Sequence, residues 1–116
     1  MSYEEIVDCI FTLQSLAYNN SKEKGFWDDK ANNGEKIALM QSELSEALEA
    51  LRTNDKVYLT PKSEKIPTFL HVEEELADCI IRILDFCGKH QLSLGEAILA
   101  KMEYNESRPH KHGKQF

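Results

Sequence analysis

Glu43 and Glu46 stand three residues apart, and Glu75 and Asp78 repeat the interval. Side chains at that spacing share one face of a helix. At about 100° per residue each pair borders an apolar arc, with Met40 and Ala47 beside the first and Leu76, Cys79 and Ile83 beside the second. If the two segments are helices packed antiparallel along those arcs, four carboxylates converge. At about 5 Å and an effective dielectric of about 20, each like-charge pair costs about 3 kcal/mol. A hard divalent cation removes that penalty, and oxygen ligands on two rigid helices suit Mg²⁺, with Mn²⁺ as a substitute. A lone E-x-x-E is more often a solvated helix face than a ligand set, but two of them, both at apolar borders, weigh towards a metal. The Glu-x-x-His pairs of di-iron bundles do not occur.

A second cluster is C-terminal: Lys101, Asn105 and Arg108 follow at i, i+4 and i+7, with His110, Lys111, His112, Gly113 and Lys114 just beyond. It is a basic patch in an acidic chain. It reads either as a solubilising tail or as a flap whose Arg, Lys and Asn donors grip phosphate oxygens, with Gly113 permitting close backbone approach. Trp27, beside Phe26, is the only tryptophan, and its ring either staples a loop to the core or stacks on a nucleobase, a contact worth about 1–3 kcal/mol. Arg82 lies one turn beyond Asp78, where it pairs with that carboxylate or meets a ligand.

The elements that must position these residues are helices. Ser2 with Glu5 reads as a capping box, and Ile6, Val7, Ile10, Phe11 and Leu16 then recur at helical spacing to about Asn19-Asn20. The period lapses from Ser21 to Asn33, a loop. A second helix is expected from Gly34 or Glu35 to about Thr53-Asn54, and a connection with Pro61 and Pro67 follows, with room for a short helical turn. The most apolar helix, expected to be central, runs from about Leu70 to Gly88, with Gly88 as its stop; Ser93 with Glu96 reads as a capping box opening the fourth. The expected fold is an all-α four-helix bundle in a single domain, 1–116, with a helical core 1–105 and a basic segment 106–116.

Charged residues make up 29% of the chain and hydrophobic ones 41%, a globular balance. The 20 acidic against 14 basic residues give a net charge of −6, which disfavours long nucleic acids and anionic membranes as partners. No apolar run reaches membrane-span length and the N-terminus lacks the order of a secretory signal, so the expected address is cytoplasmic. Cys9, Cys79 and Cys87 show no C-x-x-C spacing and read as buried small hydrophobes.

Taken in order, Gly25-Phe26-Trp27-Asp28, the run Ser42 to Glu49, the run Glu74 to Asp78, and Lys101, Asn105, Arg108 and His112-Gly113-Lys114 resemble the MazG-like branch of the all-α nucleoside triphosphate pyrophosphohydrolases, which includes dimeric dUTPases and dCTP pyrophosphatases. The resemblance covers most of the chain, although the Thr53 to Leu70 connection is long for that family. It implies cleavage of an NTP or dNTP between its α and β phosphates to a monophosphate and pyrophosphate. It also implies Glu43, Glu46, Glu75 and Asp78 as Mg²⁺ ligands, with Glu46 orienting or deprotonating the attacking water. Trp27 would contact the base, and Lys101, Asn105, Arg108 and Lys114 the triphosphate. Such proteins work as homodimers or dimers of dimers. The alternative is a catalytically silent helical module for nucleotide or protein binding.

Overall fold

Ser2 opens the first helix in an extended backbone conformation, and its Oγ accepts from the Glu5 N–H at 3.2 Å. That cap satisfies one of the four N–H groups a helix start leaves free. In the computed structural model, which describes residues 1–115, α1 spans Tyr3–Glu23, α2 Asn33–Leu51, α3 His71–His90 and α4 Leu94–Glu106. Short 3-10 turns occupy Val57–Leu59 and His110–Gly113. Phe116, the end of the basic segment, lies outside the described residues. Among these residues the fold is all-α with four α-helices and no named strand, and no helix is long and apolar enough to cross a membrane.

Helix α3 is central, packing against both α2 and α1, while α4 lies on α1. Glu43 meets Arg82 midway along the α2–α3 seam, and Ala47 and Ala50 late in α2 cluster with Val72 early in α3, so the two helices run antiparallel. Gln14 and Tyr18 of α1 face Leu92 and Gly88 in the same opposed sense. A Cβ on Gly88 would sit 2.6 Å from Tyr18 Cβ and 2.9 Å from the Gln14 carbonyl oxygen. Gly88 is therefore not the stop expected of it but an interior position where α1 and α3 touch backbone to backbone. The stop is Gln91, which takes the left-handed conformation (φ 54, ψ 44) while the Leu92 N–H reaches back to the Cys87 carbonyl at 3.0 Å.

Three further expectations are corrected. Helix α1 continues through Ser21–Glu23, where the apolar period had already lapsed. Ser93 makes no side-chain cap, because its ψ of 64 differs from the extended 165 and 171 with which Ser2 and Asn32 aim their oxygens at the helix start. Cys9 is exposed, whereas Cys79 and Cys87 are buried.

The chain exposes 8953 Å², against about 6,500 Å² for a compact monomer of its size. Its radius of gyration, 16.6 Å, exceeds the about 13 Å expected of a compact domain of this length. Leu44 and Leu48 on α2, and Leu76 and Ile80 on α3, each pair one turn apart, are between 44% and 56% exposed.

Because the α1–α3 approach leaves no room for a methyl group, Gly88→Ala is expected to destabilise the fold by about 1–3 kcal/mol. Urea unfolding followed by circular dichroism measures this, and an unchanged midpoint would show that the two helices separate freely.

Candidate functional site

The cap that fixes the start of α2 is Asn32, whose side chain accepts from the Glu35 N–H at 2.9 Å. From that start, Glu43 and Glu46 fall about three to four turns along the helix, facing α3. At the opening of α3 the Glu73 carboxylate accepts from the Leu70 N–H at 2.9 Å, and Glu75 and Asp78 follow. Glu43, Glu75 and Asp78 each offer a carboxylate oxygen within 4.8 Å of the others. Glu46 is exposed, lines the same cleft and crowds Glu75. Of the four carboxylates expected to converge, three meet within that distance and Glu46 stands at their edge.

Glu75 carries the electrostatic cost. It is 4% exposed, and its Oε2 is fully buried with no hydrogen-bond partner among the described residues. Burial first, then the adjacent carboxylates of Glu43 and Glu46, push its pKa up to about 8. Burial also raises Asp78, reinforced by the charges of Glu43 and Glu74 and opposed by Lys65 and Arg82. An orphaned buried oxygen among three converging carboxylates is a donor set that suits a hard divalent cation, with Glu43, Glu75 and Asp78 as the tight group.

Three neighbours temper the negative charge. Arg82 Nε donates to Glu43 Oε1 at 3.3 Å, so its partner is across the helix interface, not Asp78 on its own helix. The two nitrogens of His71 lie 3.4 Å from Glu74 Oε1 and 3.5 Å from Glu75 Oε1, and these three residues form a second group of ligand atoms within 4.8 Å. Ser63 Oγ donates to Glu74 Oε1 at 2.5 Å, the main reason that carboxyl is held below its usual range. Sequence reading missed His71, Glu74, Ser63 and Lys65. The signal for the first two was present: His71, Glu74 and Glu75 stand at i, i+3 and i+4 on one helix face.

The cleft continues as a cavity of about 870 Å³ from the carboxylates to an aromatic end. There Trp27 is half-buried, its Nε1 donating to Asp85 Oδ1 at 2.7 Å and its ring edge-on to Tyr18 and His90. Lys36 staples the loop to α2 by donating to the Phe26 carbonyl at 2.9 Å, and its ammonium lies 4.5 Å from the Trp27 ring centroid. Leu13, Leu16, Met40 and Ile81 supply the apolar wall between the two ends. Asp85, the anchor of the indole, was another residue the sequence did not single out.

The C-terminal residues stand elsewhere. None of Lys101, Asn105, Arg108 and Lys114 lines the cleft of the same chain. Lys101 and Arg108 lie over the Tyr104 ring at 4.5 and 5.6 Å, and Arg108 also donates to the His112 carbonyl at 3.2 Å. Lys111, His112 and Gly113 all have positive φ, coiling the basic segment into a left-handed turn.

No family model matches the chain, and neither a curated protein nor a solved structure matches it.

The raised pKa of Glu75 fixes a sign for stability. The folded state holds a proton there that the unfolded chain releases near 4.5, so stability present below about pH 4.5 is lost as pH rises towards about 8. In chelator, urea unfolding is expected to show wild-type stability falling between about pH 5 and about pH 8, with Glu75→Gln falling less. Parallel curves for the two proteins would show that Glu75 ionises freely.

Proposed function

We propose that the chain is a divalent-metal-dependent nucleoside triphosphate pyrophosphohydrolase, splitting an NTP or dNTP into a nucleoside monophosphate and pyrophosphate. The observation that carries the reading is the convergence of Glu43, Glu75 and Asp78 at one end of a cleft whose other end presents Trp27. A nucleotide has the same polarity, a polyanionic chain at one end and a flat π-system at the other. The resemblance of the ordered motifs to the MazG-like group supports it as well.

Glu43, Glu75 and Asp78 would hold the cation, with Glu46 at its edge. Mg²⁺, when bound, neutralises phosphate charge and the charge that develops on the departing pyrophosphate. The protein's own groups do the rest. Glu46, solvent-accessible beside the tight carboxylate group, orients water and accepts its proton as the water oxygen bonds to phosphorus. The phosphorus–oxygen bond of the α–β bridge breaks, and its electron pair leaves with the pyrophosphate. No side chain needs to form a covalent intermediate. Arg82 keeps Glu43 in place and supplies positive charge at the cleft wall, while the apolar wall of Leu13, Leu16 and Ile81 excludes water from the base.

A second copy of the chain completes the arrangement in this reading. The exposed surface beyond that of a compact monomer, about 2,500 Å², exceeds the about 800 Å² per partner of an ordinary stable interface. The outward leucines of α2 and α3 are suited to fill it. With its C-terminal donors outside its own cleft, a chain can offer Lys101, Asn105, Arg108 and Lys114 to a triphosphate in the cleft of its partner. A homodimer or a dimer of dimers is the expected assembly.

Purified protein incubated with a panel of NTPs and dNTPs plus Mg²⁺ is expected to release pyrophosphate, and Glu46→Gln and Asp78→Asn each to abolish release while helical circular dichroism is retained. Silence of the correctly assembled wild-type protein across the panel, or full activity in either variant, would overturn the assignment. Truncation after Asn105 is expected to inactivate. Co-refolding the truncated chain with Glu46→Gln should restore about a quarter of wild-type activity, through mixed dimers that hold one complete site; no restoration would place the tail's action within its own chain.

A further inference from the structure

The connection between α2 and α3 is more organised than its prolines and lysines suggest, and its organisation centres on one side chain. Ser63 is 2% exposed. Its Oγ donates to Glu74 Oε1 at 2.5 Å and accepts from the N–H groups of Lys65 at 3.2 Å and Ile66 at 3.0 Å. A hydroxyl has one proton and two lone pairs, so this one is saturated. The Ser63 N–H donates to the Phe69 carbonyl at 2.9 Å, and the His71 N–H to the Pro61 carbonyl at 2.8 Å. The backbone of Lys65 is thus tied to the first turn of α3, beside the metal-type carboxylates.

The side chain on that tethered backbone is the reverse of buried. Lys65 is 84% exposed, and its one ion pair, to Glu74 Oε2, is 3.9 Å long. A solvated pair of that length contributes little, and Glu74 already accepts from Ser63. Yet the Lys65 side chain lines the cleft together with Glu43, Glu46, Glu75 and Asp78. The cleft's other cations are Lys24, at the end of α1 beside the Trp27 loop, and two that are occupied: Lys36 by Asp29, the Phe26 carbonyl and the Trp27 ring, and Arg82 by Glu43. A strongly hydrated ammonium on a flexible stem, held at the root and free at the tip, is suited to non-bridging phosphate oxygens, which it meets as a point charge without fixed geometry.

We propose that Lys65 is a substrate-contacting residue, its ammonium binding the non-bridging oxygens of a polyphosphate whose metal is held by the carboxylates beside it. The inference rests on the metal-dependent reading above and adds to it a residue supplied by the connection. It separates two effects of one charge. Lys65 opposes a cation entering the carboxylate cluster and favours an anion arriving after it, so removing it should move the two affinities in opposite directions.

Calorimetric titration of the full chain with Mn²⁺, and then with inorganic tripolyphosphate at saturating Mn²⁺, tests this. Lys65→Met is expected to weaken tripolyphosphate binding about ten- to a hundredfold and to leave Mn²⁺ binding unchanged or tighter. Lys65→Arg, which keeps the charge, should stay within about threefold of wild type. Equal tripolyphosphate binding by wild type and Lys65→Met overturns the inference and leaves the functional reading standing. Loss of both affinities in Lys65→Met also overturns it, since that is the mark of a lysine needed only to hold the loop. Wild-type protein that takes Mn²⁺ but no tripolyphosphate removes the anion Lys65 would contact, and wild-type protein that takes no Mn²⁺ sinks the metal-dependent reading itself.

Discussion

Packing α2 against α3 brings Glu43, Glu75 and Asp78 oxygens within 4.8 Å of one another, and Glu75 is almost wholly removed from water. Hydrophobic burial along the same seam, through Ala47, Ala50 and Val72, holds the helices together against that repulsion. The charge must be relieved in some other way, and the ways open to it are few. Glu75 can keep a proton, which its raised pKa of about 8 allows. Arg82 and Lys65 can lend positive charge, which they do from the cleft wall. A divalent cation can replace the proton and satisfy the orphaned Oε2 as well. The last would both relieve repulsion and give the orphaned Oε2 a partner, and it would link ion affinity to the release of the Glu75 proton.

The remainder of the fold can be understood as the means of keeping that seam in place while leaving one side of it open. Gly88 lets α1 approach α3 closely, so the far end of the cleft is bounded by α1 and the loop that follows it. That loop has few apolar contacts to order it and is held by polar ones: the Trp27 indole on Asp85 and the Lys36 ammonium on the Phe26 carbonyl. Each anchor lies on a different helix, α3 and α2. The indole is consequently positioned by the same two helices that carry the carboxylates, and the distance between ring and acids is set by helix packing rather than by loop flexibility. Precision of this kind is what a site needs when its ligand must touch both ends at once.

The sequence made the helices and the acid pairs legible because both are periodic. Apolar recurrence locates α1 to α4, and carboxylates three residues apart at an apolar border can be placed on a seam without coordinates. What could not be read was non-periodic. Gly88 looked like a terminator because a glycine before Lys89 and His90 fits a helix end. Its role depends on Tyr18, 70 positions away in sequence, which no local pattern reports. Ser93 and Glu96 have the spacing of a capping box, but Ser93 takes a ψ of 64 in the short turn after Gln91, and its side chain makes no cap. Ser63 and Lys65 lay in a stretch without period, so their order was invisible until Glu74 was seen to fold the connection around one hydroxyl. Arg82 reads from sequence as a partner of Asp78 on its own helix or as a ligand contact, whereas the carboxylate it meets in space, Glu43, belongs to α2.

The excess surface and the misplaced basic segment have a common solution. A chain with 8953 Å² exposed and outward apolar side chains on α2 and α3 would gain from covering that area. The described part of the basic segment, residues 106–115, does not cover it; it is polar, and Arg108 closes it on its own His112 carbonyl. A polyanion in the cleft would need more positive charge than Lys65 and Arg82 supply, since the carboxylates themselves carry negative charge beyond what one divalent ion neutralises. In the proposed dimer, cations from a second chain would add that charge. Apolar burial would determine that the two chains associate there, and the charge of the bound ligand would draw their basic segments to the clefts.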